Sequence, residues 1–233
     1  MKYVYTLLLL LVVSVCQAAP QWTTVLPLRY AGLEPVVSDV QSHLPEGNVY
    51  GDADRVTCVH ESTHGVNSLL RNRYGRPAFY VLNNKAILLN EVRTTISEIA
   101  RNIPGSLRGD VYQLYLIQSQ RDWNNYPSYI LDEWVAYTNG GEARQTLNII
   151  DRAETTRYAL EFCVYSTYVV ARGDSQMREF YKWQVERVIR LHRQAGLNGD
   201  YLNRLRLSPD AVQLRVWLKD TYGPKWTKTF LGF

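Results

Sequence analysis

The pattern His60-Glu61-x-x-His64 constrains this chain more than any other stretch, because it has chemical meaning only on a helix. Residues four apart on a helix lie one above the other on the same face, so these two imidazoles can offer ring nitrogens to a single metal ion. Glu61 then points beside the metal, where a carboxylate can take a proton from water that the metal has acidified to a pKa of about 7. The flanking residues predict the helix. Val56, Val59, Thr63, Val66 and Leu70 recur at spacings of three and four and form a core-facing stripe, with Asp54 as N-cap and an end near Tyr74-Gly75.

A catalytic metal site of this type needs a third protein ligand and an open position. The extended pattern H-E-x-x-H-x-x-G-x-x-H fails here, since Asn67 stands at the glycine position and Leu70 at the third histidine. The other two histidines are weak alternatives. His43 lies in a proline-containing loop, and His192 sits on an apolar stripe near a helix C-terminus, where it needs no metal to explain it. A carboxylate is therefore expected, from among Glu91, Glu98, Glu133, Glu142 and Glu161. Glu133 leads, because it falls inside an apolar helical segment, residues 130–137, where an acidic side chain is costly to bury without a charged partner. Glu91, which ends an apolar strand-like run, is the main competitor.

With His60, His64 and Glu133 as ligands the chain resembles the gluzincins, zinc metallopeptidases with a His, His, Glu site, and in particular the anthrax lethal factor and Pro-Pro endopeptidase type. The turn Glu133-Trp134-Val135-Ala136-Tyr137 matches that group's ligand helix. The resemblance implies one zinc ion per chain, Glu61 as general base, and a tyrosine seven residues before the ligand glutamate that steadies the oxyanion. That position is Tyr126, with Tyr129 as the alternative. The implied activity is hydrolysis of peptide bonds in a protein or peptide substrate. One departure concerns the residue that orients a zinc histidine. Thermolysin-like relatives use an aspartate four residues after the ligand glutamate, where this chain has Tyr137, so Asn139 or a backbone carbonyl is expected in that role. The rival reading is a zinc-stabilised scaffold of the same shape that binds a partner without turnover, although such a scaffold has no need of Glu61. A glycan hydrolase reading would instead require an aromatic groove with an acidic pair.

Residues 1–18 read as a secretory signal peptide, with Lys2 before an apolar run and cleavage after Ala18, so the product is expected outside the cytoplasm, secreted or periplasmic. Removing that leader lowers the formal charge from +4 to +3, since Lys2 is its one charged residue, and so modest a charge gives no reason to expect nucleic acid. No later segment is apolar enough to span a bilayer. Cys58 and Cys163 admit two readings, a disulfide bracing the motif helix or two buried thiols.

Residues 19–233 read as a single domain of α+β class, mainly helical. Residues 20–52 are expected to be loop-rich. A hairpin is predicted from two apolar runs either side of Asn83-Asn84-Lys85, and its edge could pair with an extended peptide. Helices are predicted over 95–102, 111–119, 128–137, 153–171, 175–194 and 209–221, with Asn139-Gly140-Gly141 ending the third. Two Arg-Gly-Asp triplets, at 108–110 and 172–174, each precede a predicted helix, where Gly-Asp serves as turn and cap.

Overall fold

The computed structural model describes residues 19–28, 35–48, 50, 53–197 and 199–233, so the expected leader, residues 1–18, lies outside it. In chain order the elements are β1 (Trp22–Thr24), α1 (Pro35–Ser42), α2 (Arg55–Tyr74), β2 (Ala78–Tyr80), β3 (Lys85–Leu88), α3 (Ile96–Asn102), α4 (Gln120–Trp123), α5 (Tyr129–Thr146), α6 (Ala153–Val170), α7 (Ser175–Gln194), α8 (Asp200–Leu207), α9 (Val212–Tyr222) and α10 (Pro224–Leu231). Short 3-10 turns occupy Gly105–Leu107 and Pro209–Ala211, and Gln113–Gln118 is a π-helix. The fold is α+β and 66% helical, with one small antiparallel sheet. No described helix is long and apolar enough to cross a membrane.

The motif helix α2 begins and ends where its sequence dictates. Asp54 caps its start by accepting the Val56 N–H and the Thr57 hydroxyl, and Gly75 closes it in a left-handed conformation. Its apolar stripe meets α1 and β2 in a small core containing Val59, Val66, Leu70, Val40 and Tyr80. Each fully buried aliphatic side chain there contributes about 1.5–3 kcal/mol by leaving water. A larger core joins α3, α5, α6, α7 and the C-terminal helices around Trp134, Phe162 and Phe180.

The predicted hairpin forms as β2 and β3, with Phe79 opposite Ile87. The N-terminal region is more ordered than its prolines suggest. Within it α1 packs on α2, and β1 adds to the far side of β3, pairing Trp22 with Ile87. A three-residue strand is too short for its alternation to stand out in sequence, and its partner lies some sixty residues away.

Two expectations are corrected. Asn139-Gly140-Gly141 does not end α5, which continues to Thr146. The glycines serve close helix packing. A Cβ on Gly140 would sit 3.3 Å from the Val56 carbonyl oxygen of α2, and one on Gly141 would sit 3.3 Å from Leu191 of α7. The disulfide alternative also falls. Cys58 and Cys163 are separate buried thiols, bonded to the Tyr50 and Ala159 carbonyls respectively.

Candidate metal centre

Helices α2 and α5 pack along each other, and at their contact the chain gathers its strongest polar constellation. His60 Nε2 and His64 Nε2 lie 3.1 Å apart, and Glu133 Oε2 is 3.6 Å from the first and 3.5 Å from the second. Among the described residues this is the one group of three donors able to converge on a metal ion. Zinc bonded to such donors at about 2.0–2.1 Å in a tetrahedron sets them roughly 3.3–3.4 Å apart, which is the spacing seen. Glu133 is 4% exposed, and its Oε2 has no hydrogen-bond partner. Its nearest partners are the two imidazole nitrogens, at ion-pair and not hydrogen-bond distance, and a divalent cation between them would satisfy the carboxylate and both rings. The residues present therefore fit zinc.

The electrostatics prepare the histidines unequally. Burial, reinforced by the neighbouring His64, pushes His60 down to about 3, which leaves its ring neutral with a lone pair to give. Burial also works against a charge on His64, but Asp132 and Glu133 outweigh it and raise His64 well above the ordinary histidine value. Asp132 is the residue that orients this ring. Its Oδ1 accepts the His64 Nδ1 proton at 3.1 Å and the Asn67 amide at 2.6 Å, and its Oδ2 accepts Arg71 Nη2 at 2.9 Å. Burial alone would lift the Asp132 carboxyl, yet His64, Asn67 and Arg71 together hold it below the usual carboxylate range. The arrangement directs His64 Nε2 toward Glu133; with Nδ1 held by Asp132, Nε2 is the nitrogen whose proton a metal ion would displace.

The expectation for Asn139 is corrected accordingly. Its amide donates to Thr63 Oγ1 at 3.1 Å and to the Tyr80 carbonyl at 3.0 Å, and its oxygen accepts Arg187. Asn67 approaches the same strand residue from α2, its Oδ1 accepting the Tyr80 N–H at 2.7 Å. Both outward-facing backbone groups of Tyr80 are thus taken by asparagines, one from each helix. The outer edge of β2 is closed there, and the suggested pairing of that edge with a peptide does not hold at Tyr80.

Glu61 projects from α2 at intermediate exposure and makes no hydrogen bond or ion pair among the described residues, with Tyr137 close enough to feel its charge. The competitor Glu91 is engaged elsewhere, accepting the N–H of Ser128 at 3.0 Å and the Ser128 hydroxyl, which ties down the start of α5. The remaining histidines are buried away from the donors, His43 bonding the Asp39 and Val25 carbonyls and His192 lying on α7.

Tyrosines surround the ligand set. The Tyr137 ring stands 4.3 Å from His60, and its hydroxyl meets that of Tyr115 at 2.7 Å. Tyr129 lies one turn before Glu133 on α5, on the same side of the helix. Burial first, and the charge of Glu133 after it, raises all three phenols, so they remain proton donors. Tyr126 stands apart. It is 59% exposed and its ring contacts Trp123. Sequence reasoning missed Asp132, Tyr115 and the closing of β2. For Asp132 a signal existed, because two adjacent acids in an apolar helix each need a buried partner.

Compared with models of known protein families, with curated proteins and with solved structures, the chain matches none.

Proposed function

We propose that this protein is a zinc-dependent peptidase, exported by the leader at residues 1–18 and acting on peptide bonds of a protein or peptide substrate, as its likeness to the gluzincins implies. One observation carries the reading: a buried carboxylate oxygen without a hydrogen bond and two imidazole nitrogens converge at 3.1–3.6 Å from one another, beside Glu61, which makes no hydrogen bond or ion pair among the described residues. His60, His64 and Glu133 hold the ion, which when bound supplies Lewis-acid polarisation of a carbonyl and of water. Glu61 accepts the proton of the attacking water and returns it to the leaving amine. Asp132 keeps His64 in the tautomer that ligates. A phenol hydrogen-bonds the developing oxyanion, and of Tyr126 and Tyr129 the latter is supported by its position beside Glu133. A binding scaffold built on the same three ligands has no use for a Glu61 that makes no hydrogen bond or ion pair among the described residues.

The test is zinc content and peptide cleavage in parallel. The mature chain from Ala19 is expected to bind one zinc, Glu133→Ala to lose it, and Glu61→Gln to keep it while cleavage drops by roughly 10²–10⁴-fold. Zinc retained in Glu133→Ala, or cleavage unchanged in Glu61→Gln, overturns the proposal.

A further inference from the structure

A small pocket opens beside the His–Glu cluster, between the end of α2 and the segment that leads into α5. It holds about 220 Å3 and is walled by Arg71, Arg76, Pro77, Trp123, Tyr126 and Tyr129. Two of these walls connect it to the metal centre: Arg71 donates to Asp132, and Tyr129 stands one turn before Glu133 on α5. We infer that this pocket is a subsite for one aromatic side chain of a peptide substrate, held next to the bond that is cut. The inference rests on the peptidase reading.

Size, rings and charge select the occupant. The volume lies below the roughly 300–1,000 Å3 of sites that enclose a whole small molecule, and it suits a single side chain. Trp123 and Tyr129 stack face to face at 4.8 Å with their planes 2° apart, and the exposed Tyr126 ring stands 6.5 Å from Trp123, so three rings line the pocket. Offset and edge-to-face contacts between rings are favourable beyond the apolar area they bury. Aromatic walls also attract cations, but here two guanidiniums exclude them. Arg71 is held by Asp132, and Arg76 donates to the Leu88 and Leu89 carbonyls, forming no ion pair among the described residues. Glu91, held on Ser128, disfavours a carboxylate. A neutral ring remains the best match.

The experiment uses two peptide pools with randomised flanks and a fixed central Phe or a fixed central Gly, applied to the zinc-loaded mature protein. Wild type is expected to cleave beside the central Phe with kcat/KM at least tenfold above the Gly pool, within the range a filled apolar pocket gives. Trp123→Ala is expected to erase that ratio, and Trp123→Phe to preserve it. Equal cleavage of both pools, or equal loss on both in Trp123→Ala, overturns the subsite while Glu61-dependent cleavage leaves the peptidase reading standing. Binding of the same pools to Glu61→Gln separates the two failures. Tighter binding of the Phe pool, lost in Trp123→Ala, with no cleavage by wild type, keeps the subsite and removes the peptidase. No preference in binding and none in cleavage removes the subsite.

Discussion

Replacing Asp132 by asparagine tests whether the second carboxylate of α5 governs the metal centre without touching the metal. The substitution keeps the shape and removes the charge. Asp132 is 5% exposed and accepts three hydrogen bonds, from His64, Asn67 and Arg71. An asparagine has one acceptor oxygen for these donors, and its own NH2 must face at least one of them. His64 then loses the anion that fixes its Nδ1 proton. Removing such a partner typically costs 10–100-fold in metal affinity, about 1.4–2.7 kcal/mol at 1.36 kcal/mol per decade. The zinc-free protein is expected to lose less, on the order of 1–2 kcal/mol, because Arg71 is one-third exposed and water takes over its charge. Competition against a chromophoric chelator gives the affinity, and urea unfolding of the zinc-free chain gives the stability. Affinity within twofold of wild type, in a protein that still unfolds cooperatively, would refute the role assigned to Asp132.

Other consequences can be measured as directly. Stripping the metal with a chelator should lower Tm by roughly 8–16 °C if free zinc exceeds Kd about a thousandfold, from about 4 kcal/mol of linkage and 2–4 °C per kcal/mol for a chain of this size; a Tm that does not move speaks against a bound ion. Glu91→Ala should keep zinc but cost about 1 kcal/mol, since the tie to Ser128 at the start of α5 and a local bond from the Val92 N–H are lost, and loss of zinc in this variant would move the third ligand. Burial raises the Glu142 carboxyl, but Arg187 and Arg190 outweigh it and depress it below its ordinary 4.5. A depressed carboxyl stabilises the fold above the unfolded pKa and loses that contribution as pH falls through the folded one. Glu142→Gln should therefore be less stable than wild type by about 3 kcal/mol near neutrality, with the gap closing below pH 4.5 in urea titrations; a gap that persists at low pH contradicts the assignment. Gly109→Ala should destabilise by about 1–3 kcal/mol, because its Cβ would fall 2.2 Å from the Glu161 carboxyl, which accepts the N–H groups of Asp110 and Val111; unchanged stability would show that this turn has room to move.

What the sequence disclosed was whatever spacing along one helix can encode. The limits of α2, the convergence of His60 with His64 and the burial of Glu133 all follow from a period of 3.6 and from the cost of an isolated acid in an apolar segment. What escaped was set by contacts between elements. Asp132 reaches His64 because α5 lies against α2, a fact no local pattern carries, and the search for an orienting residue looked downstream of Glu133 instead of one residue before it. Gly140 and Gly141 read as a helix stop because glycine is a poor helix former, yet packing against Val56 and Leu191 decides the matter. Tyr115 was hidden for another reason. It enters the site from a π-helical turn, whose register no heptad or strand pattern anticipates.

The tie between Tyr80 and the two asparagines has a consequence for which ion the protein accepts. The N–H and C=O of one β2 residue, Tyr80, are gripped from α2 by Asn67 and from α5 by Asn139, so the strand acts as a gauge for the gap between the helices. The donors cannot spread to suit the ion without breaking buried hydrogen bonds. Calcium, which takes six to eight oxygens at about 2.3–2.6 Å, finds too few ligands too close together. On the proposed zinc reading, selection by size is thereby set in the backbone of a neighbouring strand.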